Sequence, residues 1–267
     1  MIKKIFFAFA TLALIMANFG FTKPVAASTT ALADLEAGDL IRGQSLSAVY
    51  YFAKDGFRYV FPNDKTYFTW YTDFNDVKWL SDSDLGKLQI GGNVTYKPGI
   101  KMIKINSDPK TYAVGENGAL HWVTTESAAI ALYGSNWNTK IDDVPDGFFS
   151  NYTMSSDIEV SDDFSPSDEA SSATNIDSDK SLKSPYIVKL NSTDGFQDIT
   201  VDAGRAIKFM NDEDTGGSKH TATAEDLSWG SGTLNPGDAF IRYFDDVGTI
   251  EYFCSYHSSE TATITVE

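Results

Sequence analysis

The sequence predicts a mainly β protein, with a C-terminal Greek-key β-sandwich preceded by a hairpin-rich α+β module that carries a weak internal repeat. Three observations lead there. Residues 184–267 contain six short strand-like runs punctuated by turn residues. Earlier in the chain, two aromatic-rich runs, each broken by Asp-Gly or Asn-Gly, resemble one another. Between these regions lies a stretch made almost wholly of Ser, Asp, Glu and small residues.

The chain opens with Lys3 and Lys4, an apolar run from Ile5 to about Phe21, and then Val25-Ala26-Ala27. This is the pattern of a signal peptide over 1–27 cleaved after Ala27; an uncleaved N-terminal anchor is the alternative. Export is expected, to the exterior or the cell surface, with no transmembrane segment after cleavage. The chain carries 21 Lys and Arg against 37 Asp and Glu. Removing Lys3, Lys4 and Lys23 with the leader leaves 18 against 37, or net −19. Nucleic acid and anionic lipid are therefore excluded as expected partners, whereas cations and basic proteins would be attracted. Acidity that only keeps an exported protein soluble is an equal alternative.

Residues 35–154 form the first unit. "VYYFAKDGFRYVFPND" (49–64) and "TYAVGENGALHWVTTE" (111–126) both read as hairpins, and each precedes a stretch that is helical or irregular. Two related modules of about 60 residues fit this pattern. His121 falls where Tyr59 stands in the first hairpin, and a lone His without Cys or His partners reads as structural. Tyr67, Phe68, Trp70 and Tyr71 read as packing surface rather than a sugar-stacking platform. Through "DGFRYVFPNDKTYFTWYTDF", "GGNVTYKPGIKMIKI", "DPKTYAV" and "ALYGSNWNTKIDDVPDGFF", this unit resembles a module of secreted and surface proteins from uncultured small-genome bacteria. That resemblance implies surface location, with adhesion or wall association, and no known chemistry. Residues 155–183 read as a flexible linker separating two independently folded units.

From Pro185 the strand-like runs are 186–190, 198–202, 206–211, 239–244, 250–254 and 262–267. Turns are expected at Asp194-Gly195, Ala203-Gly204, Asn235-Pro236-Gly237 and Val247-Gly248. Cys254, the only cysteine, has no partner for an internal disulfide, which leaves an intermolecular bond, a reactive thiol or a metal ligand. On a sandwich, Cys254 ends the penultimate strand, His257 lies in the loop after it, and His220 belongs to a loop at the same pole. Cys-x-x-His places thiolate and imidazole together.

"ITVDAGRAIKFMNDED", "KHTATAED", "SGTLNPGDAFIRYFDDVGTIEYFCSYH" and "TATITVE" make residues 185–267 resemble a cupredoxin of the plastocyanin and amicyanin kind. The resemblance implies one mononuclear type 1 copper ion with His220, Cys254 and His257 as equatorial ligands. Two positions depart from the family. Its short-loop members carry an axial Met three residues after the second His, where this chain has Glu260, and no Met follows Met210. Glu260 either supplies a carboxylate oxygen, favouring Cu(II) and a lower potential, or points to solvent, or completes a zinc site. Thr221 stands where many members carry Asn beside the first His. Tyr252 and Phe253 face opposite sides of a strand, so at most one packs around the site.

The expected function is one-electron transfer with a basic redox partner, not catalysis, because three His and one Cys are too few for a multicopper oxidase or a binuclear centre. Copper or zinc handling without redox turnover, and a structural or adhesive role for a degenerate domain, are the alternatives.

Overall fold

The chain alternates short strands with short helices through its first half, whereas from Tyr186 onward its regular elements, among the described residues, are all strands. The computed structural model describes residues 29–193 and 195–267; the expected leader and Asp194 of the expected 194–195 turn lie outside the described residues. Among the described residues no helix is long and apolar enough to cross a membrane.

The first repeat comprises β1 (Leu40–Arg42), β2 (Tyr50–Phe52), β3 (Arg58–Val60), α1 (Asp64–Trp70), β4 (Lys78–Trp79), α2 (Asp82–Lys87) and β5 (Ile90–Asn93). The second comprises β6 (Met102–Ile105), β7 (Asp108–Val114), β8 (Ala119–Trp122), α3 (Glu126–Tyr133), β9 (Ile141–Asp143), α4 (Asp146–Phe149) and β10 (Thr153–Met154). Each builds a five-stranded sheet, ordered β4-β1-β2-β3-β5 and β9-β6-β7-β8-β10. The correspondence reaches register. Tyr50 faces Val60 and Tyr112 faces Trp122, a shift of 62 residues. Ile41 faces Lys78 and Ile103 faces Asp142, so the shift becomes 64 after the helix. Hydrogen bonds outside the ladders repeat as well: Leu80 N to Arg42 O matches Val144 N to Lys104 O, and Val94 N to Val60 O matches Ile158 N to Trp122 O. Asn63 and Thr125 cap α1 and α3 from equivalent places, accepting from Thr66 N and Ala128 N. At the second hairpin turn both Asn117 (φ 53°) and Gly118 (φ 70°) are left-handed, the conformation that makes Asn-Gly suit a tight hairpin.

Residues 155–183 are not the flexible linker expected from their composition. Ile158 and Ile176 are fully buried, as nearly are Phe164 and Ala173, on α5 (Pro166–Ser172), α6 (Ile176–Asp179) and their flanks. The acidic residues are acceptors for hairpin turns. Asp177 accepts from Tyr51 Oη and Lys54 N, Glu169 Oε2 from Glu116 N, and Asp179 Oδ1 from Asn117 N, each at 2.8 Å. A Cβ on Gly99 (φ 72°) would lie 2.0 Å from Pro166 O, so only glycine lets this segment approach. Four apolar anchors and a set of turn-capping carboxylates offset the chain entropy that the composition alone does not.

The C-terminal unit is a two-sheet β-sandwich. β11 (Tyr186–Leu190), β13 (Arg205–Asn211) and β15 (Ala239–Phe244) form one sheet with β13 central. β12 (Ile199–Val201), β14 (Thr223–Ala224), β16 (Gly248–Phe253) and β17 (Thr261–Val266) form the other, ordered β12-β17-β16-β14. Alternate residues point inward, so Ile207 and Phe209 meet Tyr252 and Ile264 around Trp229. The two units are not independent. Ala206 and Ile241 complete a core cluster with Tyr51, Phe57 and Ile176. Tyr243 stacks on Phe57 at 5.6 Å and donates to Asp55, while the Gln89 side chain takes both the N–H (2.6 Å) and the carbonyl (2.9 Å) of Ile241 on the outer edge of β15. Gln89 thus occupies backbone groups that would otherwise invite another strand.

Two predictions test this docked segment. Ile176→Ala removes a side chain buried between the units and is expected to cost about 2–5 kcal/mol in chemical denaturation; no measurable cost would mean the segment detaches. Burial raises the Asp179 carboxyl to about 6, and its Oδ2 has no hydrogen-bond partner. Because the folded value lies above the unfolded one, its contribution is full in acid below pH 4 and is lost as pH rises through about 6. Asp179→Asn is therefore expected to be more stable than the parent at pH 8 and to match it at pH 4, as read from urea midpoints.

Candidate metal centre

β13 begins at Arg205 beside the N-terminal unit and ends at Asn211, and the centre lies at that far end. Five residue steps, about 17 Å, separate Ala206 in the shared core from Asn211. Asn211 Nδ2 donates to Ser218 O and Leu234 O, both at 2.9 Å. Leu234 in turn exchanges two backbone hydrogen bonds with His220, so the loop carrying this histidine is tied to the strand end. Cys254 follows β16 directly. Its own loop closes on itself, with Cys254 N bonded to Glu260 O, His257 N to Cys254 O and Glu260 N to His257 O.

This construction brings all four expected residues together. One ligand atom from each of His220, Cys254, His257 and Glu260 lies within 4.8 Å of the others, and the four could hold one metal ion. Cys254 Sγ is 3.8 Å from His220 Nδ1 and 3.6 Å from His257 Nδ1. Donors sharing one ion at 2.0–2.3 Å are about 3.3–3.8 Å apart, so the thiol and imidazoles are already spaced for it. Glu260 Oε2 lies 2.9 Å from His220 Nδ1 and 3.1 Å from His257 Nδ1. Of the orientations open in the sequence, Glu260 adopts the inward one. The His220 side chain and Cys254 are buried, whereas the His257 side chain is 34% exposed and forms the boundary with solvent.

The surroundings hold these donors in place. His220 presents Nδ1 to the centre and turns Nε2 toward Glu213 Oε1 at 3.4 Å, a carboxylate on the outer ring nitrogen. Glu213 is itself fixed by the Ser192 hydroxyl and by Ser192 N (2.7 Å). The Ser192 hydroxyl is the first cause holding its carboxyl below the usual range, so it stays ionised beside His220. Glu213 was not singled out in the sequence; its signal is an acidic residue seven before His220, flanked by Asp212 and Asp214. Thr221, the departure from Asn, braces the same place by other atoms. Its N–H donates to Cys254 Sγ (3.4 Å), and its Oγ1 accepts from Ser255 N (2.8 Å) and donates to Ser255 Oγ (3.2 Å). Tyr252 is buried in the core and Phe253 only half-buried, as their opposite sides of β16 require. Tyr256 Oη pairs with Thr233 Oγ1 at 2.8 Å and links the cysteine loop to the turn before β15. His121 takes no part: its Nδ1 lies 2.9 Å from Ser156 O and its ring packs on Phe164.

No protein-family profile matches the chain, and none of the curated proteins is similar to it in sequence. Among solved structures it is similar to a copper-containing nitrite reductase from Thermus scotoductus SA-01, at 18% identity and TM-score 0.28, over 31% of this chain and 22% of that one. It is similar to an oxidised amicyanin variant at 18% identity and TM-score 0.27, over 31% and 82%. A purple cupredoxin from Nitrosopumilus maritimus matches at 22% identity and TM-score 0.26, over 31% and 99%.

The bracing by Thr221 can be measured without any metal. Thr221→Val leaves Ser255 N without its acceptor and is expected to cost about 1–3 kcal/mol of stability, whereas Thr221→Ser is expected to retain most of it. Equal stability of all three in urea titrations would remove this role.

Proposed function

We propose that the protein is an exported copper carrier that transfers single electrons, the ion held by His220, Cys254 and His257 with Glu260 as the fourth donor. One observation supports this above the rest: a thiol, two imidazole Nδ1 atoms and a carboxylate oxygen, from two loops, converge within 4.8 Å. Copper bound to such a set would supply reversible one-electron chemistry with little rearrangement of its ligands. The rest is done by the chain. Thr221 N–H orients the sulfur, Glu213 fixes the His220 ring, burial keeps water from Cys254, and His257 is the side at which a partner can approach. The three His and single Cys of the chain suffice for one mononuclear site, which favours a carrier over a catalyst. Net charge of −16 suits a basic redox partner, and the N-terminal unit is read as the attachment to a cell surface or wall.

A second reading is binding or handling of copper or zinc without redox turnover. Glu260 favours it. A hard oxygen donor sits closer to both imidazoles than the sulfur does, and Cys, two His and a carboxylate make a tetrahedral zinc set.

The test is a Cu(II) titration of the chain from Ser28 onward, followed by visible absorption and electron paramagnetic resonance, with Zn(II) as competitor. The expected outcome is an intense thiolate-to-copper band at one ion per chain, lost in Cys254→Ser, shifted in Glu260→Gln, and reversibly bleached by reductant. A band that cannot be cycled, or zinc displacing copper, supports the second reading. Weak binding indifferent to Cys254 would leave a sandwich with a structural or adhesive role.

A further inference from the structure

The two N-terminal repeats share a surface feature as well as a register. A groove of about 480 Å³ lies against the hairpin and helix start of the first repeat, and one of about 370 Å³ lies at the same place on the second. Under the 62-residue shift most lining positions coincide; Val60 falls on Trp122, Asn63 on Thr125 and Asp64 on Glu126. A repeated fold accounts for coinciding floors. It does not account for the side chains. Phe61 and Tyr67 in the first groove become Val123 and Ala129 in the second, yet Trp122 replaces Val60, and the loop after the helix lends Phe74 to one groove and Trp137 to the other. Aromatic surface lost from one wall is restored on another, so both grooves keep aromatic rings beside an acidic rim.

We propose that these grooves bind a neutral, repeating glycan, a short stretch of sugar in each. Phe74 stacks one face on Tyr67 at 4.3 Å yet stays about half exposed, and Trp122 and Trp137 pack on the core of their repeat yet are only partly buried, so each ring keeps surface open to the groove. A pyranose offers a flat C–H face edged with hydroxyls, which matches an aromatic face flanked by polar groups. Asp64 and Glu126 provide acceptors at the rims, and the Lys110 ammonium, 4.5 Å from the Trp122 ring, provides a donor. The chain's net charge of −16 repels a polyanionic glycan, and among glycans this favours a neutral one. Two similar sites on one body suit a ligand that repeats, because the second contact forms at the high effective concentration set by the first. The proposal is independent of the metal centre.

The probes are cellohexaose and chitohexaose, titrated into the chain from Ser28 onward and followed by tryptophan fluorescence and calorimetry. At least one is expected to bind and to change the emission. Trp137→Ala and Phe74→Ala are each expected to weaken binding, about tenfold for a lost stacking face, and the double variant is expected to be washed from the corresponding insoluble polymer. Trp137 also touches the core of its repeat, so Lys110→Ala, an exposed change, is the control that keeps the fold and is expected to reduce affinity. Failure of both sugars to bind at millimolar concentration overturns the proposal, as does binding unmoved by all three substitutions, or tighter binding of a sulfated polysaccharide than of either neutral one.

Discussion

A single carboxylate, Asp55, joins the parts of this protein. It is fully buried, and it accepts from Phe57 N at 3.0 Å and from the hydroxyls of Tyr59 and Tyr243 at 2.7 Å each. Those three donors come from the first hairpin turn, the strand behind the turn and the C-terminal sandwich. A buried charge is tolerated only when its lone pairs are met, so the turn conformation, the tyrosine positions and the docking of the sandwich depend on one another. Burial and the neighbouring Asp55 push both phenols well above their usual range, which keeps them as donors at any ordinary pH.

The same use of acid groups runs through the molecule and ends at the candidate metal centre. Asp177, Asp179 and Glu169 serve the hairpin turns, and Glu213 serves His220. A protein with this many carboxylates does not need them all as solvated surface. Asp177 and Glu169 accept from fixed N–H groups, a role in which a charged partner gives a stronger hydrogen bond than a neutral one, whereas at Asp179 burial outweighs that gain. In the candidate metal centre Glu260 stands among donors that would otherwise be a thiol and two imidazoles, and it turns a soft, three-donor pocket into one of mixed hardness.

The strands of the sandwich and the two hairpins were readable because period-two alternation and Gly-containing turns are local signals. His220, Cys254 and His257 were readable because an antiparallel sandwich gathers loops at one pole. β14 was not, since two residues of ladder leave no pattern. Nor was the direction of Glu260, which is decided by hydrogen bonds inside a seven-residue loop rather than by residue type. The largest departure was residues 155–183. Their composition averages over 29 positions, whereas their order rests on a handful: Ile158, Phe164, Ala173 and Ile176 as anchors, with acids placed opposite turn amides contributed by residues 50 to 130 positions away. Pairings of that range have no local signature.

Gln89 closing the edge of β15, together with Tyr243 stacked on Phe57, makes the pole that carries His220, Cys254 and His257 a fixed outrigger and not a swinging one. A domain on a slack tether explores a sphere and can meet partners in any orientation. Here the exposed edge of His257 has one bearing relative to the two repeats, set at folding. Anything bound by the repeats would therefore meet the pole of His220, Cys254 and His257 at that one bearing, and access to it would be a matter of geometry, not of chain diffusion.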